Sequence, residues 1–185
     1  RNICQGFGMD CNPELIAAAQ NNTAKLGFSD RFALHTGELA DTRFLENLRM
    51  EASPVQLVMA NPPWRLVGSG RLPATEARRK ALFGDKGTFP LFASAASSLL
   101  EEDGRFACII SPDRLQDMLA ALNGAGLTPY LLQYIHKQKT SPATFVLIEA
   151  RKGAHAKPSV AEPIALYGPE RFFTLESLAF CPFLR

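Results

Sequence analysis

The apolar run Val55-Gln56-Leu57-Val58-Met59-Ala60 ends abruptly on Asn61-Pro62-Pro63-Trp64, and this junction constrains the chain more than any other feature. Two successive prolines lack backbone donors, and Pro63 holds Pro62 in extended geometry. Neither a helix nor a strand ladder continues through them. The run therefore reads as a buried strand, with the tetrapeptide as the loop at its carboxyl end. Open α/β sheets bind their ligands at that edge.

The tetrapeptide offers a side-chain amide, a backbone carbonyl outside any helix, two stiff residues and an aromatic plane. That set suits a flat ring bearing an exocyclic amine. The lone pair of such an amine is delocalised into the ring, so the nitrogen is a poor nucleophile. Hydrogen-bond acceptors on both N–H groups favour a more tetrahedral nitrogen. Asn61 supplies one acceptor through its side-chain oxygen, and the Pro62 carbonyl supplies the other. Pro63 holds them in place beforehand, which is how electrostatic catalysis works. Trp64 can stack on the ring, a contact worth roughly 1–3 kcal/mol per base. No general base is demanded, because the proton can leave once the nitrogen is cationic. The competing reading is a strand-ending turn in which Trp64 caps a core.

The rest of the chain alternates. Strands are expected near Ile3–Met9, Phe32–His35, Val55–Ala60 and Arg105–Ile110. Helices are expected after Asn12-Pro13-Glu14 as far as Gly27, over about Thr42–Met50, from Thr88, and after Ser111-Pro112-Asp113. Leu15, Ala18, Ala19 and Leu26 share one face of the first helix; Leu91, Phe92, Ala95, Ala96 and Leu99 form a stripe on the third. Tyr130–His136 and Phe145–Ala150 are strands joined by a short hairpin loop, Lys137–Pro142. This order predicts an α/β fold: a doubly wound, mostly parallel sheet with an antiparallel C-terminal strand pair. Glu102-Asp103-Gly104 reads as a turn, Ala74–Phe83 as a helix inside a long polar loop, Arg151–Ala161 as a linker and Pro163–Tyr167 as an edge strand. Residues 1–153 are expected to form the catalytic domain, and 154–185 a C-terminal extension packed on it.

With 46% hydrophobic and 21% charged residues, the 185-residue chain fits one core-forming domain. A net charge of +2 says little about a nucleic-acid partner. The four cysteines lack C-x-x-C spacing and the three histidines are scattered, so no metal site is expected and a reducing cytoplasm is the default. Cys4 and Cys108 lie in strand-like runs, as inert buried thiols do. No run is long enough to span a membrane.

Asp10 ends the first strand just before a capped helix, where an acidic residue of a nucleotide-binding fold accepts from ribose hydroxyls. Its alternative role is helix capping, which Asn12 already serves. Glu38, with Leu39 beside it, ends the next strand and could accept from an adenine amino group, or be a solvated turn carboxylate. Cys11 could touch the adenine face or pack. Basic residues gather after Trp64 (Arg65, Arg71, Arg78, Arg79, Lys80 and Lys86), with Lys137 and Lys139 in the later hairpin. They could contact phosphates or form a solvated surface.

Three segments carry a resemblance: Gly8-Met9-Asp10-Cys11-Asn12-Pro13-Glu14, Asn61-Pro62-Pro63-Trp64, and Ser141-Pro142-Ala143-Thr144-Phe145-Val146-Leu147-Ile148-Glu149-Ala150-Arg151-Lys152-Gly153. Together with the tail Glu162-Pro163-Ile164-Ala165-Leu166-Tyr167 and Phe173-Thr174, they make nearly the whole chain similar to the bacterial tRNA(Val) adenine-N6 methyltransferases. The Asn-Pro-Pro-aromatic motif alone is shared with DNA adenine and release-factor glutamine methyltransferases; the C-terminal stretch favours the tRNA family. The resemblance implies a class I methyltransferase fold using S-adenosyl-L-methionine, acting as a cytoplasmic monomer on tRNA or another structured RNA. It implies Asn61, Pro62, Pro63 and Trp64 as the catalytic clamp, where Trp64 stands in place of the family's more usual Tyr. It implies Asp10, Cys11, Glu38, Leu39 and Asn61 on the cofactor side, and Trp64, Arg65, Arg78, Lys80, Lys86 and Lys137 toward RNA. The Gly-rich turn that normally precedes Asp10 by roughly 20 residues would fall before Arg1. The chain therefore reads as N-terminally truncated, with the first strand and Gly-rich loop missing. In that topology the strands ending at Asp10 and Ala60 are not adjacent, and the chain is expected either to be poorly stable or to show a gap between them. A non-catalytic RNA-binding remnant is the reading from another functional class.

Overall fold

The structure, a computed structural model, describes residues 5–52, 54–63, 65–66, 82–153 and 157–183. The chain divides into two compact units, Arg1–Ser53 and Pro54–Arg185.

In the first unit, strand β1 (Gly6–Asp10) is joined through helix α1 (Pro13–Lys25) to strand β2 (Phe32–Thr36), and the two strands pair in parallel with Asp10 opposite Thr36. The Asn12 side chain accepts a hydrogen bond from the Glu14 N–H at 2.9 Å, and Pro13 occupies the first helical turn. Beyond the helix, Gly27 takes φ +72°, a left-handed conformation that suits glycine. Helix α2 (Thr42–Ala52) buries Leu45 and Leu48. The expected face of α1 is a correction. Ile16 is the residue it buries, while Leu15 is 51% and Leu26 67% exposed. Two strands spaced about 4.8 Å apart are narrower than a helix about 10 Å across, so this pair cannot cover a full stripe.

The second unit begins with β3 (Val55–Ala60), β4 (Arg65–Leu66) and β5 (Phe83–Gly84). Helix α3 (Thr88–Leu99), strand β6 (Leu100–Ile110), a 3-10 turn over Pro112–Arg114 and helix α4 (Leu115–Gly124) follow. Strands β7 (Leu127–Gln138), β8 (Ala143–Lys152), β9 (Ser159–Val160) and β10 (Ile164–Tyr167) then lead to helix α5 (Leu175–Phe180). The sheet order is β10-β7-β8-β6-β3, with β9 also on β7. Only β8 runs antiparallel to its described neighbours, so the expected reversed C-terminal pair is β7–β8. The carboxyl ends of β3, β6 and β7 consequently share one edge.

Alternate residues of the central strands enter the core, as a two-residue period requires. Phe106, Cys108 and Ile110 of β6 and Val146, Ile148 and Ala150 of β8 meet Phe89, Ala93 and Ala96 of α3 and Met118 and Leu122 of α4. At the base of α3, the Lys152 ammonium donates to the carbonyls of Ser97 and Leu100, both at 2.8 Å. A cation at a helix C-terminus also complements the helix dipole.

Several expectations are corrected. Strand β3 is half-buried rather than buried: Val55, Val58 and Ala60 pack on the core, but Met59 is 75% and Leu57 41% exposed. It pairs with β6 alone among the described residues, and α3 packs on it. Of the stripe expected on α3, Ala95 and Ala96 are buried as expected, but Leu91 is exposed, and Phe89 and Ala93 complete the buried face instead. Its N-cap is Gly87, and Thr88 locks onto Asp85 instead of capping. The Ser111 hydroxyl likewise donates to the Asp113 carboxylate and caps no backbone group. The turn at Glu102-Asp103-Gly104, with Asp103 at φ +62°, is a bulge inside β6, where the register with β3 shifts. The expected linker over 151–161 carries the end of β8 and all of β9. The helix expected over Ala74–Phe83 lies almost wholly outside the described residues, and Phe83 itself pairs with Arg65. Helix α5 carries a capping signal in the sequence: Thr174 caps it by accepting from the Ser177 N–H at 3.0 Å.

Candidate functional site

Two groups of residues stand at carboxyl strand edges, one in each unit. In the first unit, the Asp10 carboxylate accepts from the Asn12 N–H at 2.8 Å through one oxygen. That bond leaves the second oxygen as an acceptor. Asp10 thus does the local work its alternative reading proposed and keeps capacity for a ligand. The Gly37 N–H donates to the Asp10 carbonyl at 3.1 Å, carrying the parallel ladder one residue beyond β2 and setting Glu38 beside the end of β1. Glu38 is exposed, Leu39 is half-buried and Cys11 is exposed. The Glu38 backbone carbonyl accepts from the Asp41 N–H at 3.0 Å, while its carboxylate has no partner among the described residues. Asp10, Cys11, Glu38 and Leu39 are therefore brought to one edge. Their chemistry, two carboxylates beside a small apolar surface, fits a ribose diol and an amino-bearing base.

In the second unit, Asn61 follows the last residue of β3 and is exposed, whereas Pro62 is less than 2% exposed. The Asn61 amide makes no hydrogen bond among the described residues. Pro63 is half-buried, and its carbonyl lies against Gly84 of β5. Arg65 enters β4, paired with Phe83. Lys86 is exposed in the turn after β5, and Lys137 is exposed near the end of β7. The hairpin beside Lys137 is tight: the Gln138 N–H donates to the Ser141 hydroxyl at 3.0 Å, and that hydroxyl donates to the Gln138 carbonyl at 2.8 Å. Asn61, Arg65, Lys86 and Lys137 thus belong to the same edge of the second unit. Trp64, Arg71, Arg78, Arg79 and Lys80 lie outside the described residues. Gly84 joins this group only in the structure; its signal in the sequence is the turn Gly84-Asp85-Lys86-Gly87.

Cys108, opposite Ala60 in the ladder, is buried, and burial pushes its thiol pKa up to about 12. It packs and takes no part in thiolate chemistry. Among the described residues, no group of three or more His, Cys, Asp or Glu side chains could hold a metal. Among them, too, no helix is long and apolar enough to cross a membrane.

No family model matches the chain. Among curated proteins it is similar to the tRNA1(Val) (adenine(37)-N6)-methyltransferases of two Porphyromonas gingivalis strains, with 32% identity over 113 residues. That stretch covers 60% of this chain and 42% of each relative, so the chain spans less than half the length of the curated proteins it matches. Among solved structures, a predicted O-methyltransferase from Agrobacterium tumefaciens superposes with a TM-score of 0.69 at 17% identity, covering 94% of this chain and 86% of that one. A putative rRNA-methylase from Clostridium thermocellum gives a TM-score of 0.51 at 21% identity, covering 79% and 75%. The chain has the class I methyltransferase fold, and its sequence resemblance is to the tRNA1(Val) adenine-N6 methyltransferases.

Proposed function

We propose that this protein is an S-adenosyl-L-methionine-dependent methyltransferase acting on the N6 amine of adenine in RNA, with tRNA as the substrate. Residues 1–153 form its catalytic domain and 154–185 an extension of it. The observation that carries the reading is the contrast at the end of β3, where an exposed Asn61 amide is anchored by a buried Pro62. A polar group held on a rigid base at a sheet's carboxyl edge is preorganised for a ligand.

Asp10 would accept from the ribose hydroxyls of the cofactor and Glu38 from its adenine amine, with Cys11 and Leu39 against the base. When bound, S-adenosylmethionine supplies an electrophilic methyl on a sulfonium. Asn61 Oδ1 and the Pro62 carbonyl hold the two N–H groups of the acceptor amine and turn its lone pair out of the ring plane. Trp64 stacks on the base. Arg65, Lys86 and Lys137 contact phosphates, together with Arg78 and Lys80 of the loop after Trp64. A loop nucleotide is the least costly base to extrude into such a clamp.

The test is transfer of labelled methyl from S-adenosylmethionine by the full natural protein into tRNA. Incorporation is expected at adenine N6. Replacing Asn61 with Ala should lower kcat by roughly a hundredfold or more, as for loss of one preorganised partner of the reacting group. Transfer that survives Asn61→Ala excludes the clamp, and incorporation only into protein or DNA redirects the substrate.

A further inference from the structure

The chain that leaves the Asn-Pro-Pro motif is stapled at once. Arg65 and Leu66 pair in parallel with Phe83 and Gly84, and both Phe83 and Gly84 are buried. A Cβ at Gly84 would lie 2.6 Å from the Pro63 carbonyl oxygen, 2.6 Å from Thr88 Oγ1 and 3.0 Å from Thr88 Cβ. Neither neighbour is free to withdraw. Pro63 follows a buried proline, and from Arg65 onward the chain is tied into the β4–β5 ladder, so its carbonyl is held from both sides. Thr88 Oγ1 accepts from the Asp85 N–H at 3.0 Å and donates to Asp85 Oδ1 at 3.1 Å, and the same oxygen accepts from the Gly87 N–H at 2.9 Å. Asp85 therefore locks the backbone immediately after Gly84 to the start of α3. What Gly84 supplies is close approach, since its φ lies outside the left-handed region.

The Pro63 carbonyl and the residue-64 N–H belong to one rigid peptide plane. We propose that Gly84 is a positioning residue: it seats this plane, and so holds the Pro63 carbonyl and the clamp residues Asn61 and Pro62 before it in place. The assignment rests on reading Asn61-Pro62-Pro63-Trp64 as the amine clamp. An added methyl would push the plane by a sizeable part of an ångström, and misplacement by about 1 Å is worth on the order of a hundredfold in rate.

Trp64 is the sole tryptophan of the chain, so tryptophan fluorescence and its acrylamide quenching report on that residue alone. Gly84→Ala is compared with Gly124→Ala, the same chemical change at a helix end where an added Cβ meets nothing within 4 Å. Gly84→Ala should shift the Trp64 emission and lower kcat roughly tenfold to a hundredfold, with KM for S-adenosylmethionine within about twofold of the parent. Gly124→Ala should leave all three unchanged. Parental emission and kcat in a folded Gly84→Ala protein overturn the proposal. If Gly84→Ala does not fold, Thr88→Ala releases the Asp85 lock without adding an atom at Gly84; Trp64 quenching should then rise, and unchanged quenching overturns the proposal. If the parent protein methylates nothing, the clamp reading falls, while the emission shift still decides whether Gly84 seats the residue-64 peptide.

Discussion

Asn61 and Pro62 are neighbours with opposite environments, one exposed and the other buried, and the candidate chemistry depends on that contrast. Both were legible in the sequence because they follow an apolar strand directly, so chain adjacency placed them. Asp10 was legible for the same reason. Gly84 was not, because its partner Pro63 is distant along the chain and only the β4–β5 ladder brings the two together. Cys108 gives the clearest titration at this scale. Its folded-state pKa is raised from 9.0 to about 12 by burial, so the native state holds the proton more tightly than the unfolded chain. Below pH 9 the group leaves stability unchanged with pH; as pH climbs from there toward 12 it becomes progressively destabilising. In native protein at pH 8, a thiol reagent is expected to label exposed Cys11 and spare Cys108, whereas denatured protein should yield both. Rapid native labelling of Cys108 would contradict the packing described for β6.

Elements are legible in the sequence where one period dominates. Val55–Ala60 coincides with β3, and the hairpin between β7 and β8 falls inside its expected limits. Helix faces are less legible. The residues of α3 allow more than one apolar stripe, and contact with β6 and α4 selects the one through Phe89. Arg114, itself 4% exposed, places its guanidinium 4.4 Å over the Phe89 ring, which adds a cation–π contact to the burial. Replacing Phe89 with Ala should cost about 3–5 kcal/mol in urea unfolding. Leu91→Ala, on the exposed side of the same helix, should stay within about 0.5 kcal/mol, and comparable losses would refute the orientation assigned to α3. Lys152 makes a second element-scale test. Lys152→Met leaves the Ser97 and Leu100 carbonyls without their charged donor, and a loss of about 1.5–3 kcal/mol in the same assay is expected.

For the molecule as a whole, a net charge of +2 makes local placement of cations matter more than bulk attraction. If Lys86 and Lys137 each contact a phosphate, Lys86→Ala and Lys137→Ala should each lower the salt slope of tRNA binding by about 0.7–0.9 in a titration across ionic strength. An unchanged slope in both would remove these lysines from the RNA surface. The sequence by itself determined the alternation of strands and helices, the reversal at the last strand pair and the position of Asn61-Pro62-Pro63 directly after β3. Each of these follows from periodicity or from residues adjacent in the chain. Tertiary structure alone decided that β3 buries one face and exposes Met59, that Ile16 and not Leu15 packs beneath α1, and that Gly84 meets Pro63. Those outcomes depend on which surfaces meet across long sequence separations, and local pattern carries no information about that choice.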